Sequence, residues 1–146
     1  MKASHNRKFP RQVYNSIYMG YHVFMKTIGI VGSRKRYTPK DFLLVQEAFC
    51  QLYEDGDKVC SGMCSTGADQ FAVLLSDIWD SEPVWHWAEW RKNNQYNKAA
   101  GFIRNTYIAG DSNILIACVA ADRKGGTEDT IKKFKKKHLN GIVYIL

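Results

Sequence analysis

Short runs of β-branched and apolar residues alternate along this chain with segments of helical periodicity, and no other feature of the sequence restricts its fold as much. Strands and helices that alternate in this way form a parallel sheet with helices packed on its faces. The runs that predict strands are residues 27–31, 58–60, 83–87, 113–119 and 142–146. The segments that predict helices begin at Pro39, Gly67, Lys98 and Gly125. We therefore predict an α/β fold, a Rossmann-like three-layer sandwich with a mainly parallel five-stranded sheet and an N-terminal extension.

Two of the predicted strands differ in character. Residues 113–119 are apolar throughout after Asn113, which indicates a central strand buried on both faces. Residues 83–87 begin with proline, which indicates a strand near the edge of the sheet. Trp85 and Trp87 are two residues apart on that strand, so we expect both to pack against the core from one face. The polar residues 91–97 predict a loop.

Length and composition fit one globular domain, since the chain has 146 residues of which 45% are hydrophobic. We divide it into an extension, residues 1–24, and a domain, residues 25–146. The extension is rich in tyrosine, and we interpret it as a packing or oligomerisation segment. No apolar run approaches the roughly 20 residues of a membrane helix, and the basic start leads into no apolar signal core. We expect a cytoplasmic protein with no membrane partner.

The formal net charge of +7 is unevenly distributed. The extension contains four cations and no acidic residue, which leaves +3 for the domain. Five lysines between residues 132 and 137 lie near a predicted helix C-terminus, where cations offset the helix dipole. This pattern favours a basic arm and a solvated helix face. A phosphate-rich small ligand and a nucleic acid are the alternatives.

Cysteine and histidine give no metal or disulfide signal. The four cysteines are too sparse and irregular for a disulfide framework or a zinc knuckle: Cys50, Cys60, Cys64 and Cys118. His86 has no other ligand type at metal-binding spacing except Glu89. We therefore expect no metal and no resident cofactor.

Three strand ends carry glycine-containing turns that lead towards helices, at residues 32–34, 61–67 and 125–127. Ligands of open parallel sheets bind beyond the carboxyl ends of the strands. Glycine lets the backbone approach a ligand, and helix N-termini present unpaired N–H groups. The turns therefore predict a seat for phosphate or pyrophosphate. Its candidate residues are Gly32, Ser33, Arg34, Ser61, Gly62, Thr66, Gly67, Lys98, Arg104, Gly125, Gly126 and Thr127.

Two further residues are candidates beside these turns. Asp69 could hydrogen-bond a ribose, or it could accept hydrogen bonds from backbone amides near the helix start. Trp90 follows the predicted strand and could stack on a base. Neither G-x-G-x-x-G after the first strand nor G-x-x-x-x-G-K-[ST] occurs, which argues against a hydride-transfer enzyme and a P-loop NTPase.

Four motifs in order resemble the SLOG superfamily, and within it the small YspA-like branch. They are Ile-Val-Gly-Ser-Arg at 30–34, Ser-Gly followed by Gly-Ala-Asp within 61–69, Lys-Ala-Ala-Gly-Phe-Ile-Arg-Asn at 98–105, and Gly-Thr at 126–127. Ala-Glu-Trp at 88–90 is similar to a further element of that branch. The resemblance spans residues 27–146. It implies a Rossmann-like domain that binds a nucleotide-derived small molecule, such as an ADP-ribose or NAD derivative in phage–host defence, by sequestration or sensing.

The resemblance also implies roles and alternatives. It gives Arg104 and Asn105 a ligand-binding role, and it implies a homo-oligomer. LOG-type phosphoribohydrolases of the superfamily cut the N-glycosidic bond of nucleoside monophosphates with a glutamate, whose position falls on Thr130 here. This departure favours binding over hydrolysis, with Glu128 and Asp129 as the candidate catalytic residues if the chain is an enzyme. A third alternative is DNA binding, because DprA-type DNA-processing proteins carry a similar glycine turn.

Overall fold

The computed structural model describes residues 25–146, so the predicted N-terminal extension lies outside the described residues. Seven strands occur in this part of the chain: β1 (Thr27–Gly32), β2 (Lys58–Gly62), β3 (Pro83–His86), β4 (Arg91–Lys92), β5 (Gln95–Tyr96), β6 (Ile114–Cys118) and β7 (Ile142–Ile145). The four helices between them are α1 (Pro39–Leu52), α2 (Ala68–Ile78), α3 (Ala100–Asp111) and α4 (Gly126–Lys137).

Five of the strands form one parallel sheet in the order β3-β2-β1-β6-β7. From β1 the chain adds β2 and β3 on one side of β1, and it then crosses over the sheet to add β6 and β7 on the other side of β1. The loops that follow β1 and β6 consequently diverge towards opposite faces, which opens a crevice at the carboxyl edge of the sheet. This topology confirms the predicted α/β fold with its parallel sheet.

Helices cover both faces of the sheet and make the three predicted layers. On one face, α1 and α2 bury Phe49 and Leu75 against Ile30 of β1. On the other face, α3 and α4 bury Ile108 and Phe134 together with Leu115 of β6. No helix within residues 25–146 has the length and apolar character needed to cross a membrane.

The start of α1 shows how local sequence fixes an element. Thr38 Oγ1 accepts a hydrogen bond from the Asp41 backbone N–H at 3.1 Å, and the Asp41 carboxylate accepts one from the Thr38 N–H at 3.1 Å. Together with Pro39 at the first helical position, this forms a capping box. Desolvation raises the pKa of Asp41, but hydrogen bonds from Thr38 and Arg36 outweigh it and hold the pKa below 3.8.

Two local predictions are wrong. Residues 91–97 contain the hairpin β4–β5 in place of a simple loop, and its turn residues Asn93 and Asn94 have φ of 52° and 62°. Asparagine tolerates this left-handed conformation, which a tight hairpin requires. Trp85 packs against the core as expected, but Trp87 is 70% exposed because β3 ends one residue before it.

Candidate functional site

A cleft of about 320 Å³ lies at the carboxyl edge of the sheet, where the loops after β1 and β6 diverge. One wall is the loop after β1, another is the start of α4, and α3 and the loop after β2 close the remaining side. The structure brings nine of the predicted site residues to this cleft: Gly32, Ser33, Arg34, Asp69, Arg104, Asn105, Gly125, Gly126 and Thr127.

The wall formed by the start of α4 depends on glycine. Gly125 caps the helix with φ 100° and ψ −158°, a backbone conformation that is essentially restricted to glycine. It provides no side-chain cap, and a Cβ at this position would meet nothing within 4 Å. The space in front of Gly125 is therefore open. A 12-residue helix thus presents its positive N-terminal end to the cleft, where an anion is favoured.

Two arginines at the cleft, one from the loop after β1 and one from α3, converge on one sulfur atom. Arg104 Nη1 lies 3.4 Å from Cys64 Sγ, and Arg34 Nη2 lies 3.8 Å from the same atom. Neither guanidinium forms an ion pair with a carboxylate in the described part of the chain. In addition, Arg104 Nε is buried and has no hydrogen-bond partner among residues 25–146. No carboxylate oxygen of residues 25–146 therefore lies within 4.0 Å of a nitrogen of either guanidinium.

The closeness of Arg104 to this loop depends on Gly62. A Cβ at Gly62 would lie 3.1 Å from Arg104 Nε and 2.8 Å from the Asp69 carboxylate. Any side chain at this position would therefore push one of the two groups away. Gly62 does not line the cleft itself but allows Arg104 and Asp69 to approach the end of β2.

Asp69 is the one carboxylate among the described residues that line the cleft, and its two oxygens both accept hydrogen bonds from the protein. One accepts from the Ser61 hydroxyl at 2.9 Å and the other from the Cys64 backbone N–H at 3.0 Å. The side chain is 7% exposed. This arrangement favours the backbone-binding alternative for Asp69, because its main contacts fix the turn that carries Cys64.

Several predicted residues lie away from the cleft lining, namely Ser61, Gly62, Thr66, Gly67, Trp90 and Lys98. Ser61 is fully buried behind Asp69, and Gly67 caps α2. Trp90 stacks on Tyr96 of the hairpin at a ring separation of 6.2 Å, and its ring edge lies against Gly101 at the start of α3. Gly101, the residue that Trp90 contacts, precedes Arg104 by about one turn of α3.

Sequence reasoning did not select six residues that line the cleft: Val31, Lys35, Cys64, Ile108, Lys124 and Thr130. Lys35 and Lys124 directly adjoin the predicted turns at residues 32–34 and 125–127. Their position next to a glycine turn is the sequence feature that could have identified them as cleft residues. They bring the cations at the cleft to four with Arg34 and Arg104. Cys64 lies inside the 61–67 turn, but its type gave no reason to select it.

The two candidate catalytic carboxylates are engaged elsewhere. Glu128 pairs with Arg123 at 2.5 Å, and this ion pair raises the pKa of Arg123. Asp129 accepts hydrogen bonds from Asn105 Nδ2 at 3.1 Å and from Lys133 Nζ at 2.8 Å. Neither carboxylate lines the cleft. Through Asn105, which also donates to the Gly126 carbonyl at 3.2 Å, Asp129 ties α3 to the start of α4.

The cysteines are all free thiols: Cys50, Cys60, Cys64 and Cys118. Burial raises the pKa of the Cys60 thiol to about 12 and raises the pKa of Cys50 and Cys118 above the ordinary value. Within residues 25–146, no group of three histidine, cysteine or acidic side chains could hold a metal ion. His86 contacts Asp111 at 2.7 Å.

Comparison with known proteins identifies a fold and no family. No family of known proteins matches this sequence, and no curated protein matches it either. Among solved structures, the chain is similar to the molybdenum cofactor binding protein from the phototrophic bacterium Rippkaea orientalis, with a TM-score of 0.61 and 16% sequence identity. The match covers 86% of this chain and 79% of that protein. At this level of identity the similarity shows that the two share a Rossmann-like fold.

Proposed function

We propose that this protein binds a nucleotide-derived small molecule in the cleft and holds it by its phosphate groups, as a sequestering or sensing protein. The ligand class is an ADP-ribose or NAD derivative. The observation that carries the proposal is the pair of guanidiniums of Arg34 and Arg104, which meet at Cys64 without a carboxylate partner in the described chain. A phosphate is the ligand whose charge and oxygen geometry suit such a pair.

The start of α4 and two lysines at the cleft support the same ligand. The open N-terminus of α4 at Gly125 offers backbone N–H groups, and Lys124 and Lys35 add positive charge at the cleft. Cations on two walls suit a ligand with more than one phosphate, such as a diphosphate. The four cations at the cleft outnumber Asp69, whose two oxygens are held by the Ser61 hydroxyl and the Cys64 N–H.

The similar structure from Rippkaea orientalis supports small-molecule binding by this fold, since that protein is described as binding a molybdenum cofactor. Binding without hydrolysis is favoured by the residues on the start of α4. Thr130, at the position that the LOG resemblance gives to a glutamate, donates its hydroxyl hydrogen bond to the Gly126 carbonyl. Glu128 and Asp129 are held in ion pairs.

The test is to incubate the purified protein with AMP, NAD, ADP-ribose and cyclic ADP-ribose, to wash it, and to denature it by heat. Mass spectrometry then identifies the released molecules. We expect an intact nucleotide derivative at close to one per chain. Release of a free base together with a ribose phosphate would instead identify a glycosidic hydrolase, and recovery of nothing from any of the four would contradict the proposal.

Variants locate the binding to the cleft. Arg34→Gln should reduce the recovered ligand strongly, since it removes one of the two unpaired guanidiniums. Arg91→Gln is the matched control, because Arg91 is an exposed arginine of the hairpin that does not line the cleft. Equal losses in the two variants would indicate a general effect of positive charge and not a site.

A further inference from the structure

Cys64 differs from the other cysteines in its surroundings. Its sulfur lies at the cleft and is the atom on which Arg104 and Arg34 converge, at 3.4 and 3.8 Å. Cys60 and Cys118 are fully buried, and Cys50 is half-buried in α1. Desolvation raises the pKa of all three of these thiols, which disfavours their reactive thiolate form. Cys64 is therefore the thiol that combines access to the cleft with two cationic neighbours.

The same cations would select the reagents that reach this sulfur. Neither guanidinium has a carboxylate partner within residues 25–146, and Arg104 Nε is buried without a hydrogen-bond partner there. Lys35 and Lys124 add positive charge at the cleft. A concave site lined by one sign of charge raises the local concentration of oppositely charged small molecules. An anionic reagent should consequently encounter Cys64 far more often than a neutral one of the same size.

We propose that Cys64 is a regulatory thiolation site that reacts with anionic low-molecular-weight disulfides. The Cys64 thiolate attacks one sulfur of the disulfide, the bond between the two reagent sulfurs breaks, and one half leaves as a thiolate. The other half stays joined to Cys64 by a new disulfide bond. No external oxidant is needed, because the reagent is reduced as Cys64 is oxidised, and a small thiol reverses the reaction.

The attached group would regulate the cleft by occupying it. Its negative charge would lie between the guanidiniums of Arg34 and Arg104, where the phosphate of the ligand is proposed to bind. Thiolation would then release or exclude that ligand. This regulatory consequence rests on the proposed function, whereas the reactivity of Cys64 does not.

The experiment compares two aromatic disulfides on the folded protein. Dithiobis(2-nitrobenzoate) carries two carboxylates and 4,4′-dithiodipyridine is neutral, and each releases a coloured thiol that reports the rate. Each rate is divided by the rate of the same reagent with 2-mercaptoethanol, which removes the difference in intrinsic reactivity. We expect this normalised rate to be about tenfold or more higher for the anionic reagent. Raised ionic strength should reduce this preference.

Three variants test whether the preference for the anionic reagent arises at Cys64 and its neighbouring cations. Cys64→Ser should remove the fast phase of coloured-thiol release. Arg34→Gln should slow the reaction of the anionic reagent several-fold and change the rate of the neutral reagent by no more than about twofold. Lys135→Gln is the control for net charge, because Lys135 is exposed in the last turn of α4 and does not line the cleft. Equal normalised rates for the two reagents, or a fast phase that persists in Cys64→Ser, would overturn the proposal.

Adding ADP-ribose to the same assay separates the thiolation proposal from the proposed ligand-binding function. Saturating ADP-ribose should slow the reaction of the anionic reagent at Cys64 if it occupies the cleft. An unchanged rate with the charge preference intact would refute ADP-ribose as the occupant of the cleft and would still support the thiolation site.

Discussion

Arg104→Gln should weaken ligand binding strongly and leave the fold nearly unchanged. The guanidinium makes one polar contact in the described chain, at 3.4 Å to the Cys64 sulfur, which is a weak acceptor. Its Nε is buried without a partner, so its removal costs the folded state little. A hydrogen bond from a charged group to a phosphate contributes about 1.5–3 kcal/mol. Because about 1.4 kcal/mol is a factor of ten, the Kd should rise about 10- to 150-fold.

The assay is calorimetric titration of wild-type and variant protein with ADP-ribose, together with thermal unfolding of both. The change in the free energy of unfolding should stay below about 1 kcal/mol, which is a shift of no more than about 4 °C for a chain of this size. Arg91→Gln, in the hairpin, should bind as the wild-type protein does. An unchanged Kd in Arg104→Gln would contradict a contact between Arg104 and phosphate. A loss of binding accompanied by unfolding would contradict the expectation that the fold is retained.

Three further predictions concern stability. Asp57→Ala should destabilise the fold by about 3 kcal/mol in chemical denaturation, because the fully buried carboxylate pairs with Lys26 and accepts from the Glu54 N–H at 2.9 Å; an effect below about 1 kcal/mol would contradict this. Gly125→Ala should cost about 1–3 kcal/mol through the strained backbone alone, since its Cβ meets no neighbour; unchanged thermal stability would contradict this. Because the pKa of Asp41 is lowered in the folded state, the carboxylate stabilises the fold above pH 3.8, and this stabilisation is lost as acid protonates the native carboxylate. The Tm difference between wild type and Asp41→Asn should therefore be smaller at pH 3 than at pH 6, and a larger difference at pH 3 would contradict this.

The fold could be predicted from the sequence because each strand is marked by a local pattern. The apolar run that follows Asn113 in residues 113–119 predicts an interior strand, and β6 does lie between β1 and β7. The proline that opens residues 83–87 predicts an edge strand, and β3 is at the edge. The hairpin at residues 91–97 was missed because its strands are two residues long and polar. Its signal was the Asn93–Asn94 pair, which tolerates a left-handed turn.

The candidate site was less accessible to sequence reasoning. Glycine turns at strand ends predict which loops reach the cleft, because the carboxyl ends of parallel strands meet at one edge. Which side chains of different loops come into contact depends on long-range packing. The approach of Arg104 to Cys64 joins residues 40 positions apart and depends on the missing side chain of Gly62. The pairing of Glu128 with Arg123 is local, but it accompanies a left-handed φ of 52° at Arg123, which no pattern in the sequence indicates.

The proposed function places phosphate groups in the cleft beside the arginine pair and the start of α4. The most direct measurement is a crystal structure of the protein with ADP-ribose. If the proposal holds, phosphate oxygens lie within hydrogen-bonding distance of the Arg34 and Arg104 guanidiniums and of backbone N–H groups near Gly125. Phosphates bound outside the cleft, for example on the exposed lysines at the end of α4, would contradict it.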